Sequence, residues 1–276
     1  MEAQKTKKVE SNVRGIKNAF LVIVACFIIA ECIYWFIYGA PENFDAASGR
    51  PLNLLGTVFE GGFVVPIIQC LFLTVIVLAV ERWIALGSAK GKGSIAKFVK
   101  EVKAALAKND IAKAQELCAK QKGSIGAIVH AVLIKYTEMD QNTVLSKEQK
   151  LAIIQKEVEE ATALEMPSLQ QNLPIIATMT TLGTLLGLLG TVLGMVQAFF
   201  NMSQAGNNID ITLLSNGIYT AMITTVGGLI VGILAYFGYN YLTSNISDLV
   251  FKMENATIDF MDLLHEPAED GEAEVK

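Results

Sequence analysis

Charge is missing where the chain is most apolar. Neither residues 173–200 nor residues 213–241 contain Asp, Glu, Lys, Arg or His. A helix built from either has no ionisable group of its own. An ion moving along it would need an acid supplied by another chain. Histidine is scarce as well, with only His130 and His265 in 276 residues. Neither belongs to a nucleophile–base constellation, so the chain does not read as an enzyme. The four cysteines, Cys26, Cys32, Cys70 and Cys118, lack CxxC spacing. They imply neither a disulfide framework nor a metal site. No Gly-rich loop joins a strand to a helix and no Walker pattern occurs, so a nucleotide-binding module is excluded and no cofactor is expected. Basic residues are not interleaved with aromatics, which argues against nucleic acid.

What the chain has in abundance is apolar surface. Hydrophobic residues make up 52 % of it and the mean hydropathy is +0.43. A bilayer core needs about 20 apolar residues per helix. Four runs qualify: 19–38, 63–84, 173–200 and 213–241. The expected fold is therefore an all-α membrane protein with four transmembrane helices in a lipid bilayer. The positive start of the first run also fits a signal peptide. Its length, and Pro41 directly after Gly39–Ala40, favour a retained helix.

Positive charge orients the spans. Lys5, Lys7, Lys8, Arg14 and Lys17 precede the first. The connector 39–62 has only Arg50, beside Glu42, Asp45 and Glu60. Thirteen lysines lie between Lys90 and Lys156, and residues 201–212 have no Lys or Arg. The resulting map is an inner segment 1–18, a helix 19–38, an outer connector 39–62 and a helix 63–84. An inner helical domain 85–172 follows, then a helix 173–200, an outer loop 201–212, a helix 213–241 and an inner tail 242–276. Both termini fall inside.

The inner domain reads as helices. Ile95, Phe98, Val99, Val102 and Leu106 form one apolar face. Asn109–Asp110 ends that helix and caps the next, where Ile111, Ala114, Leu117 and Cys118 align. Gly123–Ser124 opens a third helix, to about Tyr136. Ser146 and Gln149 fit a capping box. A charged helix from Lys147 to Met166 then reaches Pro167. The acidic end Glu266–Lys276 reads as disordered.

The long apolar runs each carry a small, hydroxyl-bearing stripe. At 100° per residue, Thr180, Thr184, Gly187, Thr191, Gly194 and Ala198 share one face of the first. Gly217, Thr220, Ala221, Thr224, Thr225, Gly228, Gly232 and Ala235 share one face of the second. Bulky residues, among them Leu185, Leu189, Val196, Met222, Val226 and Phe237, lie opposite and suit lipid. Gly183–Gly187, Gly190–Gly194 and Gly228–Gly232 are GxxxG pairs that serve close helix packing. Packing alone does not require so many threonines. A hydroxyl bonded back to its own helix is silent, and a free one can line a path; both readings stay open for Thr180, Thr184, Thr220 and Thr224. Glu31, an acid inside the first run, is a possible functional group because an ionised carboxylate there costs about 2.5 kcal/mol or more. Glu81–Arg82, at the inner end of the second run, reads as an anchor and salt bridge.

The run from Gly187 to Met195, GLLGTVLGM, followed by Phe199, resembles the GLLGTVxGM signature of the MotA/TolQ/ExbB proton-channel proteins. Gly217–Ile218, Ala221, Thr224–Thr225, Gly228–Leu229 and Tyr239–Asn240 resemble the family's last helix. Glu81–Arg82 and the Lys-rich hairpin Asn109–Ala119 fit too, so the likeness covers roughly residues 60–250, closest to ExbB. The resemblance implies five copies ringed around a single-span partner, ExbD- or TolR-like, that carries one membrane aspartate. Protons crossing the bacterial inner membrane would drive that partner and, through a TonB-like protein, outer-membrane import. It implies that Thr191 and Thr225 are the pore threonines. A TolQ-like or motility-type role and a non-conducting scaffold are the alternatives, and the hydroxyls could also suit sodium. The lack of acids and of an inverted repeat argues against a self-sufficient transporter. Three departures stand out: Thr220 where many relatives have an acid, Leu234 where a proline is common, and the extra first helix.

Overall fold

The computed structural model describes residues 15, 16, 18–108, 110–204 and 211–265. Lys5, Lys7, Lys8, Arg14, Lys17, Asn109, loop residues 205–210 and the acidic tail 266–276 lie outside the described residues, as does the His265 side chain. The fold is all-α, with no strand among the described residues. Its helices are α1 (Ala19–Ile33), α2 (Leu54–Glu60), α3 (Val64–Ala89), α4 (Ile95–Leu106) and α5 (Ile111–Gln121). They continue with α6 (Ser124–Asp140), α7 (Lys147–Gln170), α8 (Leu173–Gln204) and α9 (Ile211–His265). Four helical stretches are long and apolar enough to cross a membrane. The chain is a multi-pass membrane protein.

Three helices outrun the apolar lengths read from sequence. α3 continues to Ala89, α8 to Gln204 and α9 to His265. Hydropathy marks where a helix leaves lipid, not where it ends. Residues 242–265 contain neither Gly nor Pro, so nothing local stops α9. Similarly, α7 does not end before Pro167 but carries it inside the last turns. One proline removes one backbone hydrogen bond, and that is not enough to end this helix. The break comes at Asn172, whose φ is +63°. Pro174 then falls in the first turn of α8, where a missing N–H is harmless.

The chain forms two compact units. One holds residues 83–171 and the described part of 244–276; the other holds 16–82 and 172–243. In the first unit α4 to α7 pack in sequence order. Phe98, Val102, Ala114, Ile128 and Leu133 are buried there, with Leu249 and Met253 of α9. Lys103 pairs with Asp259 at 3.1 Å. The caps form as the sequence predicts. Asp110 accepts from the Lys113 N–H at 3.0 Å. Ser146 and Gln149 exchange bonds of 3.3 and 3.1 Å in a complete capping box.

Cys118 is wholly enclosed in this unit, and burial pushes its thiol up to about 12. The thiolate is the reactive form. Iodoacetamide is expected to leave Cys118 unlabelled in the folded protein and to label it after denaturation. Label at Cys118 before unfolding, read by mass spectrometry, would contradict this packing.

In the second unit α1 lies on α3 through a small cluster of Cys26, Ala30 and Cys70. The Cys70 thiol donates to the Ile23 carbonyl at 3.6 Å. A π-helical turn, Tyr34–Tyr38, ends this span. The connector is folded, not loose. Asn43 is buried and donates to the carbonyls of Ile37 (2.6 Å) and Tyr38 (3.0 Å). Asn53 caps α2 through Gly56 N–H and also bonds Asn43. Tyr34 stacks on Phe59 and donates to its carbonyl at 2.9 Å. These contacts hold α2, and Glu60 at its end, against the span. Val64, Ile68, Leu71 and Val75 of α3 form a core with Met179 of α8 and Val231 and Ala235 of α9.

Candidate functional site

The small faces of α8 and α9 meet each other. A methyl group on Gly183 would stand 2.9 Å from the Gly228 carbonyl oxygen and 3.0 Å from the Gly232 nitrogen. One on Gly187 would stand 3.2 Å from Cα of both Thr225 and Gly228, and one on Gly194 would stand 2.7 Å from the Ala221 Cβ. The backbones therefore touch along the GxxxG runs. Gly190 makes room for Thr224, whose Cβ would be 2.6 Å from an added methyl. Most of the bulky residues opposite stay exposed, Leu185, Val196, Met222 and Phe237 among them. Leu186, only partly exposed, is turned onto the α3 core.

This register brings two of the six threonines face to face. The hydroxyls of Thr191 and Thr225 are hydrogen-bonded to each other. Thr191 also reaches the carbonyls of Gly187 (3.2 Å) and Ala221 (3.3 Å), and Thr225 reaches Gly187 O at 3.1 Å. Two hydroxyls have two protons between them. One proton serves the mutual bond and the other serves a carbonyl, so acceptor sites remain. The pair can therefore take and return hydrogen bonds without holding charge. Both residues are half-buried.

The other four threonines are placed differently. Thr224 is buried, donates to the Ala221 carbonyl at 2.8 Å and fills the notch at Gly190. Thr180 donates to Ala177 O at 2.6 Å, and Thr184 to Thr180 O at 3.4 Å, at the far end of the helix pair beside Gly232. Thr220 is half-buried, five residues before Thr225. Glu31 is half-buried on α1, with no ion pair among the described residues.

Glu81 and Arg82 form a buried pair. The Arg82 guanidinium donates to both Glu81 oxygens, at 2.6 and 2.5 Å. Arg82 is fully buried. Glu81 also accepts from the Ile16 N–H at 2.9 Å, and Asn172 donates to the Ile16 carbonyl at 3.1 Å. The charges thus tie α3 to the segment before α1 and to the start of α8. The sequence pointed to the ion pair, but not to its burial or to Asn172.

A cleft of about 560 Å³, largely apolar but with several polar side chains in its wall, reaches Gly190 and Thr224, the neighbours in sequence of the threonine pair. Gly61, Gly62 and Phe63 of the α2–α3 corner line it, with residues of α8 from Gly190 to Asn201 and of α9 from Gly217 to Thr224. Glu60 also lines it, and partial burial raises its carboxyl above the ordinary range. In the sequence Glu60 counted only as connector charge. No local pattern links it to residues more than 120 positions away.

Residues 124–255 match the sequence model of the MotA/TolQ/ExbB proton channel family. Over these residues, a little under half of the chain, it is similar to that family. No curated protein matches the chain. The MotA/TolQ/ExbB match begins at α6 and takes in α7, α8 and most of α9, including the six threonines described above and every glycine of the helix pair. The family is a proton-channel and stator scaffold, not a known enzyme family, and it works as oligomeric complexes with partner proteins in motors. α1, the connector, α3 and Glu60 stand outside the match.

Proposed function

We propose that this chain is the ring-forming subunit of a proton-driven motor in a bacterial inner membrane, most like ExbB. Its N- and C-termini are cytoplasmic and residues 39–62 and 201–212 periplasmic, as the lysine distribution indicates. Five copies surround a single-span ExbD- or TolR-like partner, and a TonB-like protein carries the work to outer-membrane import.

The observation that carries this reading is the Thr191–Thr225 contact between two helical stretches, 173–200 and 213–241, that hold no charge. Hydroxyls relay protons but cannot store them at neutral pH. The titrating acid must come from elsewhere, and a partner's membrane aspartate supplies it. One charge crossing 100 mV yields about 2.3 kcal/mol, so a few transfers suffice to drive a conformational cycle. Thr180, Thr184, Thr220 and Thr224 extend the polar stripe, and the six glycines hold the wall together. The same glycine contacts would serve a non-conducting scaffold.

Proton flux into liposomes separates the two. The chain with an ExbD-like partner is expected to conduct, and the chain alone is not. Thr191→Val or Thr225→Val should lower the flux about tenfold or more. Equal flux in the threonine variants would leave only the scaffold standing.

A further inference from the structure

We infer that the cleft beside the helix pair is the subunit's own outer proton-access path, and that Glu60 is the carboxylate that takes up protons at its mouth. The inference rests on the channel reading above and adds a route and a residue to it.

The geometry is specific. From Asn201 to Gly190 the cleft follows α8 for about 16 Å, at 1.5 Å per residue. That is about half the hydrocarbon thickness of a bilayer. Its inner end, at Gly190 and Thr224, is one residue in sequence from Thr191 and from Thr225. At 560 Å³ it has room for many waters, each needing about 30 Å³ and a few polar partners. Those partners are present: Gln197 and Asn201, bonded to each other at 2.9 Å, and the threonines Thr220 and Thr224. Glu60 is the only ionisable side chain among the described residues that line it. The α2–α3 corner holds it there, since a methyl on the next residue, Gly61, would stand 3.3 Å from the Thr224 methyl carbon. A carboxylate at a water-sized cleft that carries polar side chains as far as Thr224 can pass protons inward. Glu60 accepts one proton from hydronium at the outer surface and releases it to water in the cleft, which regenerates the carboxylate. The proton goes on past the threonines to the partner's acid. No charge stays behind.

The test uses the full chain with its single-span partner in liposomes, with flux driven by a potassium diffusion potential and read by an internal pH dye. Glu60→Gln is expected to lower flux about tenfold or more while complex formation stays unchanged on gel filtration. Glu60→Asp is expected to retain flux. Glu60→Cys should lose flux, regain it after iodoacetate, which installs a carboxylate, and stay low after iodoacetamide, its neutral counterpart. The parent, treated alike, corrects for the native cysteines. Parental flux in Glu60→Gln, with Thr191→Val blocked, would overturn this inference and spare the channel. Equal rescue by the two reagents would overturn it too. Parental flux in Thr191→Val would overturn the channel reading itself.

Discussion

Gly228→Leu is expected to abolish folded protein, whereas Gly227→Ala, one residue earlier, is expected to melt at or slightly above the parental temperature. A methyl on Gly228 would stand 2.7 Å from the Gly187 Cα and 2.9 Å from the Gly187 nitrogen. Both are backbone atoms of α8, so no side chain can turn away. The helices must separate, and separation breaks the Thr191–Thr225 contact and the packing of Gly183 on Gly232. Overpacking by even one methyl costs about 1–3 kcal/mol, and a leucine adds three carbons more. Gly227 meets only Ile68 Cγ2, at 3.5 Å, an ordinary contact. Both changes remove a glycine from the same helix, so helix propensity favours each alike and cannot explain a difference. Monodispersity in detergent and thermal unfolding followed by circular dichroism read the outcome. Equal melting of Gly228→Ala and Gly227→Ala would show that the helices are not in backbone contact.

Glu81→Leu is expected to destabilise the protein by about 3–5 kcal/mol, because it takes the carboxylate from a buried guanidinium. Arg82 is fully buried and Glu81 is the acid that faces it, itself only 12 % exposed in its side chain. The single change also takes the acceptor from the Ile16 N–H. The double variant Glu81→Leu, Arg82→Met removes both charges and is expected to be more stable than Glu81→Leu alone. Apolar replacement of a whole buried pair is often neutral, while breaking the pair is not. Denaturation of the four proteins of this cycle gives the coupling. Additive losses would mean that the pair contributes nothing as a pair.

The contrast between these sites and Glu60 shows what can be read from a sequence. The GxxxG runs and the threonine stripe repeat at the helical period, so the face they share follows from 100° per residue. The Ser146–Gln149 capping box spans three residues and forms as spaced. Pro167 misleads because a breaker acts only if no neighbouring structure holds the helix together. Thr224 and Thr225 are adjacent and chemically identical, yet one fills the notch at Gly190 and the other bonds Thr191. Sequence offers no way to rank them. The 100° between them meets a partner helix only in the fold.

By itself the sequence determined four apolar helices, a lysine-rich helical domain and a charge-free, hydroxyl-bearing face on the last two long helices. Each of these is set by residues within a few turns of one another. Only the tertiary structure decided which glycine meets which threonine, that Arg82 is buried on Glu81, and that Glu60 overlooks a cleft between α8 and α9. Those depend on close approach between segments far apart in the chain. Helix periodicity fixes the direction of a side chain but not what stands in front of it.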